Sequence, residues 1–344
     1  ICAALAKGQS QLIGALDSED TQVMIGALRK LGLPIDHHAA DDKIVVQGCG
    51  GHFPQEQADL FVANSGTTMR FLTAMLSVGK GRYRLDGIQR MRERPVGDLI
   101  GAMNQLGGRI SCELGNDCPP VVIDARGLAG GRAVVRGSIS SQFLSGLLMA
   151  APYAADDVEV LVDDTLVSQP YVRMTLDVMH SFGVPISSPG LQRFFVAAPR
   201  AYQSCTYDIE PDASAASYFW AAAAITGGTI CVQGLCRASL QGDVRFCDCL
   251  AEMGCQVQWG QQHVAVTGGT LRGIDVDMND ISDTVQTLAA VALFAKGPTT
   301  IRGVAHIRHK ETDRIGDLAR ELRKLGAEVV EFNDGLKITP REIR

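Results

Sequence analysis

The sequence predicts an α/β protein of two domains, each assembled from repeated strand–helix units. Three observations lead there. The chain has 344 residues, 46% hydrophobic and 20% charged, enough to bury two cores of ordinary size. Five segments, "ALRKLGLPI", "AMNQLGGRI", "VMHSFGVPI", "CLAEMGCQV" and "ELRKLGAEV", each close an amphipathic helix on a large apolar residue and a glycine, then turn into a strand. Their glycines, Gly32, Gly107, Gly183, Gly254 and Gly326, recur every seventy-odd residues, so the repeat runs the length of the chain. Finally, a second helix type, apolar almost all round, alternates with the amphipathic one.

Taken in order, the opening "ICAALAKG" reads as the tail of a buried helix, by comparison with "AAVALFAKG" at 289–297. An amphipathic helix ending at Gly32 follows. "NSGTTMRFLTAML" starts with residues that accept hydrogen bonds from free helix amides and is then apolar, which predicts a buried helix. "GRYRLDGI" is strand-like, and the helix closed by Gly107 leads to the strand "RAVVRG". "SSQFLSGLLMAAP" is the second capped, buried helix; "VEVLV" is the next strand, before the helix that ends at Gly183. "DASAASYFWAAAA" and "SDTVQTLAAVALF" repeat the buried type, and "RFCDCLAEMG" the amphipathic one. After the strand "TTIRGV" and the helix closed by Gly326, the sequence stops at "GLKITPREIR", just past a strand. The unit is strand, buried helix, strand, amphipathic helix, strand. A helix buried on every side except its polar start directs its dipole and free amides at something, and an anion fits.

Composition excludes several functions. A formal net charge of −6 argues against a nucleic-acid partner. No apolar run approaches the roughly 20 residues of a membrane span; the best, "SYFWAAAAI", is far shorter, and the opening does not read as a signal peptide. The ten cysteines form no CxxC pair and no metal-spaced cluster; Cys247 and Cys249 face apart on a helix, and such thiols fit a reducing cytoplasm. The 37 glycines suggest many tight turns.

The densest chemistry is "IRHKETDRIGD", with seven ionisable side chains in eleven positions. Lys310 and Arg314 lie four apart, which predicts one face of a helix's first turns, where two cations oppose the dipole. That cost favours function. Glu311 reads equally as a first-turn acid or a proton-transfer group, and Asp313 as structural. Asp283, in "NDISDTVQTLAA", reads on residue type as a capping acid. Ser140, Ser141 and Gln142 suit either a phosphate cradle or a simple cap. Ser168 and Tyr171 read as a turn serine and a core tyrosine. Gly66 permits close backbone approach at a helix start, or is merely tolerated there. Arg94 precedes Pro95, a residue suited to the first helical position. Arg70, Arg90 and Arg92 read as structural or as long-range attraction.

The stretches "ANSGTTMRFL", "RMRERPVGDL", "SSQFLSGLLMAAP", "LVSQPYV", "PDASAASYF", "MNDISD" and "HKETDR" together resemble the 5-enolpyruvylshikimate-3-phosphate synthase family along essentially the whole chain. The resemblance implies the two-domain enolpyruvyl transferase fold, with three βαβαββ units per domain and helix starts facing the cleft. It implies a shikimate-phosphate-binding domain over 1–210, its first helix truncated, and a second, incomplete domain over 211–344. The family's Gly-Ser-Lys-Ser stretch and a following Arg, and its Asp-His-Arg stretch and a later Lys, have no counterpart here. The chain is therefore expected to be a fragment cut at both ends, inactive as it stands.

The reaction implied is enolpyruvyl transfer from phosphoenolpyruvate to a hydroxyl of shikimate 3-phosphate, releasing phosphate, in aromatic amino acid biosynthesis. It needs no metal and no organic cofactor. The partners are those two anions, and a cytoplasmic monomer is expected. Carried over residue by residue, the resemblance makes Asp283 the general base, Glu311 the donor and acceptor at the vinyl carbon, and Lys310 a further catalytic group. Shikimate 3-phosphate would meet Ser140, Ser141, Gln142, Ser168, Tyr171, Asp283, His306 and Lys310; phosphoenolpyruvate would meet Gly66, Arg94, Gln142 and Arg314. Two positions depart from many relatives. His306 stands for Asn and still donates a hydrogen bond, with a charge expected to vary near neutral pH. Phe71 stands for Pro and is expected to alter packing behind the phosphoenolpyruvate subsite. The sibling family acting on a UDP-amino-sugar carries a catalytic Cys just before its "RPV" stretch; here "DGIQRMRE" has none, and Cys118 lies elsewhere. A non-catalytic anion-binding module is the remaining alternative, against which the full set of Asp283, Lys310, Glu311 and Arg314 argues.

Overall fold

The computed structural model describes residues 1–341, and the chain divides into two compact units, Ile1–Ile209 and Glu210–Arg344. The first opens with α1 (Cys2–Leu5), β1 (Lys7–Ile13), α2 (Glu19–Lys30), β2 (Ile35–His38) and β3 (Lys43–Cys49). Next come β4 (Gln57–Phe61), α3 (Gly66–Leu76), β5 (Lys80–Asp86), α4 (Gly97–Gln105), β6 (Ile110–Cys112) and β7 (Val121–Arg126). The third copy is β8 (Gly131–Arg136), α5 (Ser141–Ala150), β9 (Val158–Asp163), α6 (Gln169–Ser181) and β10 (Arg193–Val196); β11 (Thr206–Asp208) then returns to the first sheet. The sheets have the orders β11-β1-β3-β2, β4-β5-β7-β6 and β10-β9-β8. In the middle sheet β4 runs parallel to β5, with Ala58 opposite Tyr83, and β7 antiparallel, with Ile123 opposite Tyr83. Every second side chain of these strands faces inward, onto a core that includes Leu31, Met69, Leu72, Tyr83, Phe143 and Phe194.

The second unit holds α7 (Ala213–Thr226), β12 (Thr229–Gln233), α8 (Phe246–Met253), β13 (Gln256–Trp259) and β14 (His263–Thr267). A full βαβαββ copy follows: β15 (Asp275–Asp277), α9 (Val285–Ala292), β16 (Thr299–Arg302), α10 (Arg314–Lys324), β17 (Glu328–Phe332) and β18 (Gly335–Thr339). Its sheets are ordered β12-β14-β13 and β15-β16-β18-β17. Trp220, fully buried, donates from Nε1 to the Val264 carbonyl at 3.2 Å and ties α7 to β14.

The repeat holds down to single hydrogen bonds. All five closing glycines take positive φ, from 83° to 111°, a region costly for residues with a Cβ. Near the end of α2, Arg29 donates to the Ile35 carbonyl at 3.0 and 2.8 Å; near the end of α10, Arg323 does the same to Val329 at 3.3 and 2.8 Å. The helix starts are capped as expected at Ser65, Ser140 and Asp212, whose side chains accept from the amides of Thr68, Gln142 and Ala215.

One expectation needs correction. Helices α3 and α5 are buried nearly throughout, but α7 is not buried on every side: Tyr218 and Phe219 are about 60% exposed. Here α7 and α9 pack on each other and on two sheets, and among the described residues nothing covers the remaining side. No helix among the described residues is long and apolar enough to cross a membrane. All ten cysteines are free thiols, with Cys247 and Cys249 buried.

Candidate active site

The first unit gathers an anion-seeking cluster where α3 and α5 begin. Gly66 is the first residue of α3, and a Cβ placed on it would collide with NH1 of Arg70 and NH2 of Arg94 and stand 2.9 Å from the Arg94 Cζ. Both guanidinium side chains are buried, at 3% and 5% exposure. Arg94 donates from NH1 to the Asn64 carbonyl at 2.7 Å, and Arg70 from NH2 to the Pro95 carbonyl at 3.1 Å. Burial, then the charge of Arg94, pulls the Arg70 guanidinium down to about 9. Arg90 and Arg92, by contrast, are tied to local acids: Arg90 meets Glu93 at 3.0 Å, and Arg92 holds Asp86 with two bonds at 2.9 and 2.6 Å.

Gln142 crosses from the start of α5 to the start of α3, its Nε2 donating to Thr67 Oγ1 at 3.0 Å. Ser140 is the cap of α5, and Ser141 is buried in its first turn. Ser168 sits at the entry to α6 with φ of 54°, buried and left-handed, a strained setting for a serine. Tyr171, in the first turn of α6, is half-buried rather than the core tyrosine expected from residue type. Phe71 packs on the first core, its ring edge near Gly146, where α3 and α5 come close.

The second unit places the charged turn differently from the expected helix face. A short 3-10 segment covers Ala305–His309, and α10 starts only at Arg314, with Asp313 as its cap. Lys310 and Glu311 therefore lie before the helix, and neither is a first-turn residue. The physical reason is Asp313, which accepts from the amides of Ile315 and Gly316 at 3.1 and 3.0 Å and from Arg308 NH1 at 3.0 and 2.8 Å. Arg308 also binds Glu331 at 2.9 Å, pinning the turn to β17. Asp313 is thus structural, as read from its type.

Asp283 is not the cap of α9. It lies in the 3-10 turn Asn279–Thr284, and α9 has no side-chain cap. Its Oδ1 accepts from Arg314 NH1 at 2.7 Å and from Lys310 Nζ at 3.4 Å. Arg314 turns the rest of its fork to Glu311, Nε to Oε1 at 2.6 Å and NH2 to Oε2 at 2.8 Å. Burial pushes the Glu311 carboxyl up, but the paired bonds and charge of Arg314 prevail and hold it below the usual range. The same acids overcome burial at Arg314 and raise its pKa. His306 is buried beside this cluster, and burial, followed by the Lys310 charge, lowers its imidazole to about 4. The expected charge variation near neutral pH is overturned: the ring is neutral there. Among the described residues no group of three His, Cys, Asp or Glu is placed to hold a metal.

Each unit thus has a helix-start cluster of opposite character, one of guanidinium groups and hydroxyls, the other of paired carboxylates and cations. Thr67 went unassigned on sequence and Arg70 was read as structural or as long-range attraction; only the crossing of α3 and α5 shows what they touch. The architecture is the two-domain enolpyruvyl transferase fold. It is shared with EPSP synthase from Acinetobacter baumannii, at TM-score 0.79 and 24% identity over 99% of this chain and 78% of that one. The EPSP synthase (3-phosphoshikimate 1-carboxyvinyltransferase) family matches residues 1–344. Among similar proteins, the chloroplastic 3-phosphoshikimate 1-carboxyvinyltransferase of Solanum lycopersicum is 49% identical over 99% of this chain and 69% of its own length. That of Nostoc punctiforme is 48% identical over 100% of this chain and 81% of its own. The chain belongs to the EPSP synthase family.

Proposed function

We propose that the residues of the two clusters carry one reaction, transfer of the enolpyruvyl group of phosphoenolpyruvate to a hydroxyl of shikimate 3-phosphate with release of phosphate. Membership of the family supports the reaction. The observation that carries the residue assignment is Asp283, a carboxylate ion-paired to Lys310 and Arg314 instead of capping a helix. In this reading Asp283 takes the proton of the acceptor hydroxyl as its oxygen attacks the enol carbon. Glu311 gives a proton to the methylene carbon and takes one back as phosphate leaves. Lys310 offsets charge on shikimate 3-phosphate, which Ser140, Ser141, Gln142, Ser168, Tyr171 and His306 also bind. Neutral His306 does so as an uncharged donor. Gly66, Arg94 and Gln142 hold the phosphoenolpyruvate phosphate end, and Arg314 its carboxylate, for which a planar fork is suited.

A cytoplasmic monomer is the proposed setting, in keeping with ten free thiols; the tomato relative is named chloroplastic. Nothing in the family match favours the UDP-amino-sugar alternative. The protein expressed from its complete gene, given phosphoenolpyruvate with either shikimate 3-phosphate or UDP-N-acetylglucosamine, should release phosphate only with the first. Turnover with the amino-sugar alone would overturn the proposal.

A further inference from the structure

Arg70 is the one guanidinium of the first cluster that this reaction scheme leaves without a role. It lies one turn inside α3 and folds back towards the helix start, with its Cζ 5.6 Å from the Phe143 ring centroid. Its NH2 is satisfied by the Pro95 carbonyl, but Nε and NH1 have no hydrogen-bond partner among the described residues. Among the described residues no acid pairs with it, whereas Arg84, Arg90 and Arg92 each meet Asp or Glu. A cation buried to 3% exposure, with a second guanidinium adjacent, is unfavourable in isolation. The NH1 of Arg70 and the NH2 of Arg94 both lie against Gly66, where a Cβ would otherwise stand, at the amino-terminal end of α3. Two buried cations at a helix start, with no carboxylate paired to Arg70 among the described residues, make a setting that an oxyanion carrying about two charges would neutralise.

We propose that Arg70 is a direct ligand of a phosphoryl group seated over Gly66, and that Arg70 and Arg94 grip it from two sides. The inference rests on the reading of Gly66 and Arg94 as the phosphate end of the phosphoenolpyruvate subsite. It changes Arg70 from a structural residue to a binding one. The stack on Phe143 and the bond to Pro95 fix the guanidinium plane, leaving NH1 directed at the ligand. A lysine would keep the charge without that planar geometry.

The test uses the protein from its complete gene, with Arg70→Lys and Arg70→Met. Loss of a charge-assisted hydrogen bond should raise KM for phosphoenolpyruvate roughly ten- to a hundredfold, with Arg70→Lys the milder change. KM for shikimate 3-phosphate should move less than about twofold. A purely structural Arg70 would shift both constants together, and that result, or an unchanged phosphoenolpyruvate KM in a folded variant, overturns the proposal. Inorganic phosphate gives a readout independent of turnover. It should raise the melting temperature of the parent protein and do so less for the variants; equal shifts would count against Arg70. If neither variant folds, a crystal of the parent protein soaked in phosphate decides: the ion bonded to NH1 or Nε supports the proposal, and its absence from the space over Gly66 ends it. Failure of turnover with intact phosphate binding would instead count against the reaction assigned above.

Discussion

Glu311 and Arg314 are joined fork to fork, by bonds of 2.6 and 2.8 Å, while the third nitrogen of Arg314 reaches Asp283 at 2.7 Å. The guanidinium proposed to take the substrate carboxylate already holds two from the protein. A substrate carboxylate entering that fork competes with Glu311, and once displaced Glu311 loses the contacts that keep it ionised. Its proton affinity rises at the moment when a donor to the methylene carbon is needed.

Glu311→Gln should therefore have opposite effects on two constants. Turnover should fall about 10²-fold or more, as for loss of a general acid, while KM for phosphoenolpyruvate should stay level or fall, because the amide competes less for Arg314. Steady-state kinetics showing a large rise in that KM would mean that Glu311 helps the substrate bind and does not compete with it.

Asp283→Ala removes the acceptor shared by Lys310 and Arg314. The expected outcome is a loss in kcat on the order of 10²-fold or more, with far smaller changes in both KM values. A near-normal kcat would remove Asp283 from the chemistry and leave it an ion-pairing residue.

Gly66→Ala places a methyl group against the guanidinium groups of Arg70 and Arg94. Both must shift to clear it, although a backbone carbonyl holds each in place. Phosphoenolpyruvate should bind more weakly, shikimate 3-phosphate almost as before, and glyphosate, the inhibitor of this family, should inhibit less. Unchanged constants for phosphoenolpyruvate and glyphosate would show that the glycine does not border their subsite.

His306 links stability to pH. The buried ring resists protonation down to about pH 4, whereas in the unfolded chain it protonates near 6.5. Between those values the unfolded state holds the extra proton, so stability is complete above pH 6.5 and falls as the pH drops towards 4. The loss should be on the order of 3 kcal/mol. Urea denaturation at pH 7.5 and 4.5 should show a smaller drop for His306→Asn than for the parent protein; equal drops would assign the acid sensitivity to other groups.

Much of this was legible in the sequence because the information is local. The alternation of amphipathic and apolar helices, the five helix-closing glycines and the capping serines act through neighbouring backbone groups, and they predict the repeated strand–helix unit and its copies. Candidate site residues could be singled out too, since "HKETDR" and "SSQFLSG" concentrate charge and hydroxyls in short stretches. What those residues touch was not. Asp283 looked like a cap because residue type cannot reveal that Lys310 and Arg314 approach from some thirty residues away. Lys310 seemed helical because spacing cannot show that Asp313 would be held by Arg308 and start the helix later. The imidazole of His306 was assigned an ordinary pKa because burial belongs to the packed core and not to the sequence pattern. Arg70 looked structural for the same reason: its lack of an acidic partner and its place beside Gly66 follow from the crossing of α3 and α5, a relation between elements that no periodicity encodes.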